Sequence, residues 1–189
     1  MSLSLFTVSA VFMLDGEGHR ILAKYYTPKH AGSYVNPFKT FKEQRALELA
    51  VQDKTRRGQG DIILYQNHLV LFRPALDFSI FLVGPESENE LMLSATLTAL
   101  HDAVATLLRH QLEKRAILEN LDLVVLCLDE TIDDGIVLET DSTAIAARVS
   151  RPRPDAGAVD LSNITINEQT LISAFTTVRD RMAARILQG

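Results

Sequence analysis

The sequence has no tryptophan and only one cysteine, Cys127. One thiol cannot close an internal disulfide. Cys127 lies in the apolar run "LVVLCLD", so it reads as a buried thiol in a reducing, cytosolic setting. A catalytic cysteine would want a basic and partly exposed neighbourhood, which these residues do not offer. No apolar run approaches the roughly 20 residues that a bilayer-crossing helix requires. The stretch "MSLSLFTVSAVFML" has no Lys or Arg ahead of its apolar part and no small-residue cleavage site before Asp15 and Glu17. It therefore reads as a buried strand rather than a signal peptide. An excess of positive charge is also missing. Lys and Arg number 19 against 24 Asp and Glu, a net charge of -5, with the basic residues scattered among acids. That excludes the basic stripe on which nucleic-acid binding depends.

Catalytic and phosphate-binding signatures are equally scarce. There is no HExxH, CxxC or GxSxG, and no GxxxxGK followed by Ser or Thr. Gly16 and Gly18 follow a strand, but Ile21 stands where a dinucleotide fingerprint needs its third glycine, and a second strand follows instead of a helix. A pyrophosphate would have no helix N-terminus to sit on, so "LDGEGHRILAKYY" reads as a hairpin. The acidic tract "LDETIDDGIVLETD" fails as a calcium loop, with Ile132 at a ligand position and Asp141 in place of the closing Glu. Asp129 and Asp133 are expected four apart on one helical face, exposed to solvent. His101 and His110 match no zinc spacing. No catalytic, metal or cofactor-binding residue is expected.

What is present is a chain of 189 residues, 47% hydrophobic and 23% charged, enough to bury a full core. Residues 5–26 read as strand, reversal, strand, and 27–38 as a loop. A helix is expected from Pro37 to the "RRGQG" stop. Three strands follow in "DIILY", "HLVLFR" and "FSIFLVG", with a tight turn at Gln66-Asn67. A long helix is expected from Glu88 to Glu113, capped by Ser87 or Asn89, with Ala95, Ala99 and Ala103 as a close-packing face. Residues 115–130 are ambiguous, since Val124 to Leu128 alone favour a strand. The expected domain spans 1–149, followed by a linker at 150–160 with two prolines. An amphipathic terminal helix at 161–189 would carry Leu171, Ile172, Phe175, Val178 and Met182 as an apolar, partner-binding stripe.

The order of two strands, a helix, three strands and then helices resembles the longin-like (SNARE-like) α+β fold. Two segments carry a closer resemblance to the adaptor small-subunit family within it. "VFMLDGEGHRILAKYY" is similar to the family's N-terminal hairpin, and "LVVLCLDETIDDGIVLETDSTAI" to its second hallmark. The coatomer zeta branch matches most, through "AKYYTP", "DIILYQNHLVLFR" and "NEQTLISAF". The resemblance implies a five-stranded antiparallel sheet flanked by helices, and a helix over 115–130. It also implies a non-enzymatic coat subunit paired with the large coatomer gamma subunit and, through it, the other coatomer subunits. An Arf-type small GTPase would bring the assembly to Golgi membrane as a peripheral complex, for retrograde and intra-Golgi transport. Clathrin-type relatives bind sorting signals through a basic residue on the second strand, where Ile21 stands here, so that activity is not carried over. A clathrin-type small subunit or a longin-type GTPase regulator is the alternative.

Overall fold

The computed structural model describes residues 7–27, 36–57 and 60–150. They lie in the compact unit Met1–Arg151. The sheet is organised around strand β1 (Ala10–Asp15), which is buried along its whole length. Alternation sends Ala10, Phe12 and Leu14 to one face and Val11 and Met13 to the other. Apolar residues on both faces thus make it a central strand. It pairs antiparallel with β2 (Arg20–Tyr25) and with β5 (Phe78–Pro85). Beyond β5 lie β4 (His68–Pro74) and β3 (Ile62–Tyr65), giving the order β2-β1-β5-β4-β3. Gln66 and Asn67 both have positive φ, 44° and 63°, as the two-residue β3–β4 turn demands.

Register builds an aromatic ladder across the sheet. Phe12 and Phe72 both face Phe81, with ring centroids 5.0 and 5.9 Å away, and Tyr25 stacks on Phe12 at 6.2 Å. Helix α1 (Phe41–Arg57) covers this face with Leu47 and Val51. It starts later than Pro37 because Asn36 ties the preceding chain into an Asx turn. The Asn36 Nδ2 donates to the carbonyls of Ser9 and Tyr26, and its Oδ1 accepts from Phe38 N. Thr40 and Glu43 then form a reciprocal capping box.

The other face is covered by α2 (Glu90–Leu107), α4 (Leu121–Thr131) and α5 (Ser142–Val149), with the short α3 (Lys114–Glu119) between α2 and α4. Asn89, not Ser87, caps α2 by accepting from Leu91 N and Met92 N. The helix is shorter than its periodicity predicts, because Arg109 and His110 turn into the left-handed region with φ of 53° and 63°. Ala99 and Ala103 are buried in the core on this face, while Ala95 is exposed. The helix over 115–130 that the family resemblance implies, and local propensity does not, is present as two helices, α3 and α4, broken at Asn120. Val124, Cys127, Leu128 and Thr131 are the buried stripe.

A small hairpin, β6 (Ile132–Asp133) with β7 (Ile136–Val137), follows α4 directly. Asp133 is therefore on a strand, and the expected helical pairing of Asp129 with Asp133 does not form. Asp129 is instead bonded to Lys24 of β2. Asp141 caps α5, accepting from Thr143 N and Ala144 N.

Candidate interaction surface

The β1–β2 turn, the most suggestive sequence feature for a phosphate, is already filled by the protein itself. Asp15 Oδ1 accepts from the amides of Glu17 and His19 at 3.0 and 2.8 Å, so the turn's anion slot holds a carboxylate of its own chain. The turn's carbonyls face α1. Arg45 donates to Gly18 O at 2.7 Å, Gln52 to Asp15 O at 3.3 Å, and Arg56 to Gly16 O. Lys114 Nζ of α3 reaches Asp15 Oδ2 at 2.8 Å. This hairpin is structural.

Burial alone would raise the Asp15 pKa. The Lys114 ammonium and the two amides outweigh it and hold the carboxyl at about 2, below its usual 3.8. Its stabilising contribution is complete above about pH 4 and is lost as pH falls through 2. Asp15→Asn is expected to cost on the order of 1–2 kcal/mol at pH 7, reduced by solvent around the Lys114 end of the pair. In urea titrations the deficit should shrink toward zero near pH 2; a gap independent of pH would show that charge is not its source.

On β2, a bulge at Ile21 breaks the alternation: Arg20, opposite Leu14, shares the α1 face with Ala23 and Tyr25, while Ile21 and Leu22 both pack against the core on the α2 face. Arg20 Nη2 meets Glu48 Oε1 at 2.6 Å and lies over the rings of Tyr25 and Phe41. Glu48 has no side-chain exposure, and Arg45 also reaches it at 3.3 Å. The Tyr25 hydroxyl donates to it at 3.0 Å. Burial and the Glu48 carboxylate together push the Tyr25 hydroxyl pKa upward. Two cations and a phenol thus offset the cost of sinking this carboxylate. His19 sits 3.4 Å from Asp15 and 3.3 Å from Glu17. Neither basic residue of the turn is held out toward a ligand.

The two hallmark segments meet in space. Thr7 N and Val8 N both donate to Gly135 O at 3.0 Å, so the β6–β7 turn latches the entry to β1. Gly135 has φ +84°, and a Cβ there would lie 2.6 Å from Val8 O. Cys127 is buried, and desolvation followed by Glu130 pushes its thiol pKa up to about 12, so it stays protonated. Among the described residues no group of three His, Cys, Asp or Glu is placed to hold a metal ion. No described helix is long and apolar enough to cross a membrane.

What the surface does offer is apolar side chains in the open. Ile62 and Leu64 on β3, Leu76 in the β4–β5 turn, and Leu91 on α2 are 48%, 53%, 79% and 80% exposed. Leu118 of α3 borders a shallow depression with Asp77, Lys114, Arg115 and Glu119. Such side chains, carried on both regular elements and turns, suit docking rather than chemistry. The family model described as "Clathrin adaptor complex small chain" matches residues 7–154.

The chain belongs to the clathrin adaptor complex small chain family.

Its relatives include coatomer subunits. It is 38% identical to coatomer subunit zeta of Saccharomyces cerevisiae over 100% of this chain and 98% of that one. It is 37% identical to coatomer subunit zeta-1 of Oryza sativa, covering 96% and 97% of the two chains. Human coatomer subunit zeta-1 is 32% identical over 98% and 96%. A chain from a homology model of the full-length AP-3 complex in a stretched open conformation aligns with a TM-score of 0.56. That alignment covers 81% of this chain and 97% of the other at 14% identity, a likeness of fold. The longin-like five-stranded architecture of an adaptor small chain is thus present from β1 to α5.

The predicted partner-binding stripe, Leu171, Ile172, Phe175, Val178 and Met182, lies outside the described residues, as do the rest of the terminal segment and nearly all of the linker. Sequence reasoning missed the exposure of Ile62, Leu64 and Leu91. "DIILY" reads only as a strand, and its place at the sheet edge, a tertiary fact, is what leaves alternate residues uncovered.

Proposed function

We propose that this chain is the zeta-type small subunit of a coatomer, paired with the large gamma subunit. It works in Golgi-to-endoplasmic-reticulum and intra-Golgi vesicle transport. The observation that carries the reading is its end-to-end similarity to coatomer zeta subunits of yeast, plant and human. In this reading the chain catalyses nothing. It is a folded block whose exposed apolar side chains are covered by a larger chain, and it reaches the cytoplasmic side of the Golgi membrane as part of that assembly, through an Arf-type small GTPase.

Obligate interfaces of this kind bury roughly 2,000 Å² or more around an apolar centre. Co-expression with a coatomer gamma subunit is expected to yield a one-to-one complex that survives high salt and gel filtration. A chain that elutes alone while the gamma subunit is soluble and folded would refute the pairing.

A further inference from the structure

A groove lies in the described surface between edge strand β3 and helix α2. Cross-strand register puts Ile62 opposite Leu71 and Leu64 opposite Leu69. All four therefore stand on the face that α2 covers. Leu69, Leu71 and Leu97 of that face are buried, yet Ile62 and Leu64 remain about half exposed. The reason is geometric. Helix α2 rests on β4 and β5, and among the described residues no helix lies over β3 on this side. Helices pack about 8–10 Å apart and strands about 4.8 Å apart, so the next helix position in this layer falls at β3 and its outer edge. A groove of about 280 Å³ marks the place, lined by Asp61, Ile62, Arg73, Ser94, Leu97 and Thr98. Leu91 continues the wall one turn before Ser94 along α2.

Charge narrows the occupant. Helix α2 carries Glu90 and Asp102 and no Lys or Arg. Arg73, the cation within the groove, already has Asp102 at 3.6 Å. Asp61 stands at one end of the groove, and Glu86 is tied by its amide to Asn67 of the β3–β4 turn at the other. Around the groove and its ends the charges are Asp61, Glu86, Glu90 and Asp102 against Arg73 and Lys54, an acidic excess beside the apolar Ile62, Leu71 and Leu97. A strand added along the edge is disfavoured, because Lys54 Nζ already donates to Leu64 O at 3.0 Å.

We propose that the β3–α2 groove is the seat of an amphipathic helix of the large partner chain. Its apolar stripe covers Ile62, Leu64 and Leu91, and Lys or Arg residues on its flanks meet the acidic excess. This rests on the proposed pairing with a large coatomer-type chain and names the face that pairing uses.

The test uses the full chain co-expressed with a coatomer gamma subunit. Ile62→Asp combined with Leu91→Asp is expected to weaken the complex at least about tenfold, a loss in the range of an interface hot spot. Both side chains are exposed, so unchanged circular dichroism should accompany it. Glu90→Lys is expected to weaken the complex at low salt and less so at high salt. Leu64→Cys gives an independent readout, since Cys127 is buried. A maleimide should label the introduced thiol rapidly in the free chain and at least about tenfold more slowly in the complex.

A stoichiometric complex that binds the double variant within about twofold, and in which the introduced thiol reacts as fast as in the free chain, would overturn the groove assignment alone. Slow labelling in the free chain would also overturn it, by showing that a second copy or the chain's own terminal segment occupies the groove. No complex with the unsubstituted chain would remove the pairing itself.

Discussion

Replacing Phe81 by alanine is expected to lower the unfolding free energy by about 3–5 kcal/mol, the range for emptying a fully buried aromatic site. Phe81 has no exposed surface and lies between Phe12 and Phe72 in the ring ladder that spans the sheet. Its backbone pairs with β1 on one side and β4 on the other, so neither strand can move inward to fill the hole without breaking register. Domains of this size are stable by about 5–15 kcal/mol, so the loss removes a large share of the margin. Phe81→Leu should cost about 1.5 kcal/mol or less, since volume is largely kept. Urea unfolding monitored by circular dichroism gives both numbers. A Phe81→Ala loss below about 1 kcal/mol would mean that the ladder is not a packed unit.

Gly135→Ala is the second large effect, expected at about 2–4 kcal/mol. An alanine in the left-handed region costs roughly 1–2 kcal/mol by itself. The added Cβ would stand 2.6 Å from a backbone oxygen, Val8 O, which cannot swing aside as a side chain would. Relief requires the turn to retreat from β1. That weakens the two hydrogen bonds that Thr7 N and Val8 N donate to Gly135 O, each worth about 1 kcal/mol. Amide exchange at Val8 should accelerate along with the fall in Tm. Gly16→Ala provides the contrast, because a Cβ there meets nothing within 4 Å and its cost should stay within about 0.5 kcal/mol. Equal losses at the two glycines would remove the latch from the explanation.

The legible parts of this fold are those where local chemistry and tertiary packing agree. Strand β1 is apolar from Ala10 to Leu14 and is buried on both faces. Gln66-Asn67 is a turn by residue type and by φ. Asn89 stands one residue before the first turn of α2 and caps it. Where the two disagree, the sequence misleads. Val124 to Leu128 favours a strand by composition, but the buried spacing of Val124, Cys127, Leu128 and Thr131 is helical because α2 and α5 supply the surface. The family resemblance, not propensity, anticipated that helix. The end of α2 carries no glycine or proline, and Arg109 and His110 adopt positive φ without the residues that normally announce it. The β6–β7 hairpin has only two residues per strand, too few for alternation to register.

The surface was less legible still. Composition and missing motifs turn attention from chemistry toward docking, but which side chains stay uncovered depends on strand order. The same apolar pattern is interior in β4 and half open in β3 because one has a neighbour on each side and the other does not.

The Gly135 latch also bears on synthesis of the chain. Residue 8 and residue 135 are held together by backbone bonds, so the entry to β1 cannot be sealed while the polypeptide is being made in its first two-thirds. A nascent chain emerging from the ribosome must keep this apolar strand in waiting until the later hairpin arrives, at roughly 5–20 residues per second. During those seconds it is a natural client for a chaperone.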